Sequence, residues 1–66
     1  MHENIAFPRI LVGKIKSFGD FGPPYQVGQA VHRLPDGDLL VGITLIETGE
    51  TAVYRLSRLT VDPEAY

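Results

Sequence analysis

The sequence predicts a mostly β fold: a small antiparallel sheet of four or five strands, closed as an SH3-like barrel or left as a curled sheet, with at most a single helical turn near the C-terminus. Three observations predict it. Short runs of Val, Ile, Leu and Tyr alternate with 7 glycines and 5 prolines, which is the punctuation of brief strands joined by turns. Two turn signals, Pro35-Asp36-Gly37 and Thr48-Gly49, each align apolar residues on one face of the strands they join. No stretch sustains the 3.6-residue apolar period over the length of an ordinary helix. The 66 residues make one domain, because a chain of about 60 residues buries only about 60% of the surface its unfolded form exposes and cannot fill two cores. Four short strands leave one apolar face uncovered, so the sheet is expected to curl on itself or to meet the same face of a second copy.

The first strand is expected in residues 10–16, where alternation turns Leu11, Gly13 and Ile15 inward and leaves Lys14 and Lys16 in water. A three-residue hairpin loop at Pro35-Asp36-Gly37 follows from proline presetting the first turn position and glycine accepting the left-handed conformation. Closing it with Leu34 opposite Asp38 sets Val31 against Val41, Gln29 against Ile43 and Val27 against Leu45. A two-residue loop there would bring His32, Ala30 and Gly28 into that row and bury less. A two-residue turn at Thr48-Gly49 pairs Leu45 with Ala52, Ile43 with Tyr54 and Val41 with Leu56. It also sets Glu47 beside Glu50, a like-charge pair, so a four-residue loop in the same register is an equal alternative.

These registers place Val27, Val31, Val41, Ile43, Leu45, Tyr54 and Leu56 in the core. Gly13, Gly28 and Gly42 interrupt strand patterns, where bends and bulges form. Ser57 is expected to cap one helical turn through Thr60 that tucks Leu59 under the sheet, with a continued strand as the alternative. Asp62-Pro63-Glu64 has the form of a helix start with too little chain after it, so residues 62–66, like residues 1–8, are expected to fray.

Six basic and eight acidic residues give a formal charge of -2, so the whole molecule has no long-range attraction for phosphate polymers. The chain has no cysteine, which excludes disulfides and thiolate sites and fits a reducing compartment. The expected setting is the cytoplasm. The longest apolar stretch, residues 39–46, is broken by Gly42 and Thr44 and is far below the roughly 20 residues of a membrane helix. No secretory signal is read in the first residues, where an acid stands at Glu3 and the apolar patch breaks at Pro8.

Catalysis needs a nucleophile beside a base, paired carboxylates or a metal, and the sequence offers only Ser17, Ser57 and the separated His2 and His32. His32 falls on the solvent side of the preferred register, and no enzyme activity, metal or cofactor is expected. Asp36, Asp38, Glu47 and Glu50 sit at hairpin tips that point opposite ways, and read as turn residues rather than calcium ligands. The most unusual segment is Phe18-Gly19-Asp20-Phe21-Gly22-Pro23-Pro24-Tyr25. Its rings beside a diproline suit a shallow binding site built from Phe18, Phe21, Pro23, Pro24 and Tyr25. The competing reading is that Phe18 or Phe21 plugs an open end of the sheet while the prolines steer the chain into the second strand. Lys14, Lys16, Arg55 and Arg58 suggest a basic strip on the outer face, the footprint of a nucleic-acid-binding barrel, against a plain solvated strand face.

Ser17-Phe18-Gly19, Phe21-Gly22-Pro23-Pro24-Tyr25, Glu47-Thr48-Gly49-Glu50, Tyr54-Arg55-Leu56 and Asp62-Pro63-Glu64-Ala65 together resemble a family of short bacterial proteins of unknown function, over nearly the whole chain. The resemblance implies a bacterial source and carries no activity, ligand or site. The expectation from the residues is a non-enzymatic interaction module. It would engage an unknown protein partner, or a homodimer mate, through loop 18–25 or a strand edge. Nucleic-acid binding is the alternative, and no membrane role is expected.

Overall fold

The computed structural model describes residues 9–65, so the expectations for residues 1–8 and for Tyr66 fall outside it. Four antiparallel strands, β1 (Ile15–Ser17), β2 (Pro24–Arg33), β3 (Leu39–Leu45) and β4 (Thr51–Arg55), form one sheet in the order β1-β2-β3-β4. A short helix, α1 (Leu56–Leu59), follows, and a 3-10 turn (Arg9–Leu11) precedes β1. The sheet does not close, since β1 and β4 form its two edges. Its inner face is dry: Tyr25, Val27, Val41, Ile43 and Leu59 are buried together, with Leu11, Phe18, Leu45, Tyr54 and Leu56 packed against them.

β3 is the pattern the sequence reading rests on, and its alternation holds, with Leu39, Val41 and Ile43 buried. The first hairpin closes as expected. The Leu34 N–H donates to the Asp38 carbonyl at 2.8 Å, and Gly37 takes φ 90°, which its missing Cβ permits. Farther along, β2 departs from the expected register. His32 pairs with Leu40 but Ala30 pairs with Val41, and Val27 then pairs with Ile43, so β2 carries two irregularities of one extra residue each. The first puts Val31 on the outer face at 55% exposure, correcting its placement in the core. The second brings Val27 and Tyr25 back to the inner face, opposite Ile43 and Leu45.

The second hairpin also differs by two residues. Leu45 does not meet Ala52, its partner in both expected loops; its N–H donates to the Glu50 carbonyl at 2.8 Å, leaving a four-residue loop, 46–49, in a register two residues away. Ile43 then faces Ala52, and Val41 faces Tyr54. A shift of two keeps every side chain on its face, and it removes the Glu47–Glu50 apposition of the expected register. Thr48 Oγ1 accepts the Glu50 N–H at 3.2 Å and steadies the loop. Of the expected core, Val27, Val41 and Ile43 are buried, while Leu45, Tyr54 and Leu56 are packed on its margin.

The start and end of the chain depart most from expectation. Residues 9–14 form a compact turn, in which Val12 N–H donates to Arg9 O at 3.0 Å and Lys14 N–H to Leu11 O at 3.1 Å, before β1 begins at Ile15. Lys16 pairs with Tyr25 and therefore shares its inward face. It is 5% exposed, with its Nζ donating to the Leu59 carbonyl at 2.6 Å, which corrects its expected place in water. The helical turn forms and buries Leu59 fully, but its cap residue is Arg55, with no capping side chain of its own. Asp38 serves instead: its carboxylate accepts the Ser57 N–H at 3.2 Å and the Ser57 hydroxyl at 2.7 Å. Residues 62–65, expected to fray, lie along β1. Ser17 N–H donates to Pro63 O at 3.0 Å and Ala65 N–H to Ile15 O at 2.9 Å.

This packing separates buried Leu59 from outward Val31 experimentally. Leu59→Ala should cost about 2–5 kcal/mol in urea unfolding, the usual range for a fully buried leucine. Val31→Ala should change stability by no more than about 0.5 kcal/mol, as for an exposed site; a loss at Val31 as large as that at Leu59 would contradict the outward bulge.

Candidate functional site

Loop 18–25 is the end of a β1–β2 hairpin. Ser17 pairs with Pro24, and the Phe18 N–H donates to Pro23 O at 3.3 Å, so residues 19–22 form its tip. Gly22 lies so close to the Phe18 carbonyl that a Cβ would overlap it, and only glycine permits the turn to fold this tightly. Below the tip, three rings interlock. Phe18 and Tyr25 centroids are 4.4 Å apart, Phe18 and Tyr54 meet edge to face at 5.1 Å, and Tyr25 and Tyr54 do so at 5.6 Å.

Asp62 ties this cluster to the chain end. Its Oδ2 accepts the Tyr25 hydroxyl at 2.7 Å, and its Oδ1 accepts the Gly19 N–H at 3.2 Å. The Tyr25 phenol is pushed well above its ordinary pKa, first by burial and then by its hydrogen bond to Asp62. Tyr54 moves the same way, again by desolvation first and then through Asp62. The loop base is thus cross-braced by a carboxylate, the Tyr25 phenol and a backbone amide.

The two phenylalanines, offered by the sequence as plug or pocket, divide those roles. Phe18 is half-buried against the core, and Tyr25 is fully buried. Phe21, by contrast, is completely exposed at 102% relative accessibility, with Pro23 exposed beside it and Pro24 half-buried at the start of β2. The β3–β4 loop emerges at the same end of the sheet, with Ile46 N–H donating to Pro24 O at 3.2 Å and its side chain 43% exposed. Asp62, the residue that braces the loop, was not legible as a site residue. Its only sequence signal was the Asp-Pro step, which has the form of a helix cap.

The four candidate cations do not gather. Lys14 stands on the β1 side, where it pairs with Glu64 at 3.5 Å, and Lys16 is buried beneath the sheet. Arg55 lies on β4 at the opposite edge, bound to Asp36 Oδ2 at 2.8 Å and Asp38 Oδ2 at 3.3 Å. Arg58 is exposed on α1. His32 is exposed, pairing with Leu40 on the outer face. Among the described residues, no three His, Cys, Asp or Glu side chains are grouped to hold a metal, and no helix is long and apolar enough to cross a membrane.

Fold and site together define a small domain built on an open antiparallel sheet, with one aromatic loop braced by its own C-terminal segment. The chain belongs to a family of unknown function, DUF5397, whose model matches residues 3–66. It is similar to an uncharacterized protein of Haemophilus influenzae, 58% identical over 57 residues, which cover 86% of this chain and 90% of that protein. The bacterial family resemblance seen in the sequence is therefore correct.

Two predictions follow from the bracing groups. Asp62→Ala should leave the buried Tyr25 hydroxyl unpaired, lowering stability by about 1–3 kcal/mol and speeding hydrogen exchange at the Gly19 amide; an unchanged Gly19 amide would show that Asp62 does not hold the loop. At the other end of the sheet, Arg55 chiefly holds Asp36, and the Ser57 hydroxyl chiefly holds Asp38, below the ordinary carboxylate value of 3.8. Depressed folded-state values mean that their contribution is complete above the unfolded value and is lost as pH falls through the folded one. The urea midpoint should therefore decline below pH 3.8, and Asp38→Asn should flatten that decline.

Proposed function

We propose that this domain is a non-enzymatic interaction module that presents Phe21 to a pocket on another protein. The observation that carries the reading is the full exposure of Phe21 at the tip of a loop whose other two aromatic residues are packed inward. A free phenylalanine ring in water is costly to a small domain, whereas a ring held on a braced loop loses little conformational freedom on docking. Buried aromatic anchors of this kind dominate interface energetics. Ile46, exposed at the same end of the sheet, supplies further apolar surface around the anchor. We read the bent meander as an SH3-like barrel left open along one edge, a description supported by the two bulges of β2. The cytoplasm is its proposed setting, in keeping with a chain that has no cysteine.

The alternative, a nucleic-acid-binding barrel, has less support. Its basic strip would need Lys14, Lys16, Arg55 and Arg58 on one face, yet one is buried and two are paired with carboxylates.

The protein-binding reading is tested by quantitative affinity capture with the wild type and with Phe21→Ser. The variant should keep its melting temperature, because the ring touches no core residue. It should bind the captured partner more weakly by about 2 kcal/mol or more, roughly thirtyfold. Equal capture by both forms would refute the role of Phe21.

A further inference from the structure

The two edges of the sheet are treated differently. β1 is partly covered, since Ser17 N–H reaches Pro63 O and Ile15 O receives Ala65 N–H. Among the described residues, none gives β4 such a cover. The Leu45–Glu50 bond makes that pair hydrogen-bonded, and in an antiparallel ladder such pairs alternate. Ala52 and Tyr54, opposite Ile43 and Val41, therefore turn their backbone groups toward β3, while Thr51, Val53 and Arg55 turn theirs outward. Thr51, Val53 and Arg55 are exposed. The usual protections of an edge are also missing: Thr51–Arg55 contains no proline or lysine. Its one charge, Arg55, is held by Asp36 and Asp38. Beside this edge the outer face carries Val53, 57% exposed, opposite Gly42. Val31, 55% exposed, lies against the other side of that glycine.

We infer that β4 pairs antiparallel with β4 of a second copy of this chain, about a twofold axis through Val53, making one continuous eight-stranded sheet. The strand is self-complementary in that register. Val53 exchanges its N–H and carbonyl bonds with Val53 of the second copy, and Arg55 N–H reaches the Thr51 carbonyl. On the inner face small Ala52 stands beside bulky Tyr54 of the other copy. On the outer face the two Val53 side chains meet and join the apolar patches of both copies. No like charges oppose one another, since Arg55 meets Thr51 and Glu50 meets Leu56. A twofold, isologous contact of this kind closes at the dimer and leaves only the partly covered β1 edges outside. The pairing is independent of Phe21, which lies on the loop between β1 and β2.

Sedimentation velocity over a concentration series, together with hydrogen exchange, tests the inference. The sedimenting mass should rise to twice the 7.3 kDa of one chain, and the amides of Thr51, Val53 and Arg55 should become protected as it does. Val53→Lys, a change at an exposed position that sets two ammonium groups face to face on the axis, should return the protein to single-chain mass and strip that protection. Phe21→Ser should leave the dimer intact. A single-chain mass at every concentration with fast exchange at the three amides would overturn the inference. So would a dimer in which those amides stay fast, because its interface would lie elsewhere. Should Val53→Lys fail to fold, the alternating exchange pattern of the wild type decides by itself.

Discussion

The burial of Leu59 against Tyr25, Val27, Val41 and Ile43 is the contact on which this structure depends. A four-stranded sheet with one apolar face needs a cover, and among the described residues no long helix provides one. A single turn suffices here because it delivers one fully buried leucine to the centre of that face. Polar contacts around the rim then fix the position of that turn. Asp38, on the far hairpin, accepts the Ser57 amide and hydroxyl near its start, and Lys16 donates to the Leu59 carbonyl at its end, where a cation also suits the partial negative charge of the last carbonyls. Asp62 continues the return by binding Tyr25 and Gly19. Among the described residues, no buried side-chain nitrogen or oxygen lacks a partner, as a small core that must tolerate polar groups at its margin requires.

That return path also sets the character of the two edges. Once α1 passes beneath the sheet, residues 63–65 run alongside β1 and bond its Ser17 amide and Ile15 carbonyl. The same route carries the chain away from β4, which is left as the exposed edge. The bulges in β2 act on the outer face in a parallel way, expelling Val31 to lie against Gly42 while keeping Val27 and Tyr25 inside. Edge and outer patch therefore arise from the same few backbone decisions, and they fall next to each other at Val53.

The candidate loop was legible as a segment but not residue by residue. Glycine and proline spacing marks a turn between two strands, and rings within it mark either packing or recognition. Which ring does which depends on Gly22 drawing the turn tight against Phe18, and on Tyr54 arriving from β4 to complete the ring cluster. Neither is a local property. The basic residues show the opposite error. Alternation treats Lys16 as a solvent residue, whereas pairing with Tyr25 fixes its face and the Leu59 carbonyl satisfies its amine. The aliphatic stem of lysine packs against apolar surface, and here its tip reaches the Leu59 carbonyl at 2.6 Å.

By itself the sequence determined the strand-rich class, the position of the turns at Pro35-Asp36-Gly37 and Thr48-Gly49, and the inward face of β3, and it offered the helical turn that buries Leu59 beside a continued strand. These follow from local chemistry: turn residues with defined backbone preferences, and an alternation of period two that any pleated strand imposes. The tertiary structure alone decided the register slips in β2, the two-residue shift of β4, the burial of Lys16 and the docking of residues 62–65. A bulge costs little locally, and a shift of two changes no side chain's face, so neither leaves a mark in the residue pattern. They are settled only when the whole inner face, with Tyr25 and Leu59 at its centre, packs without gaps.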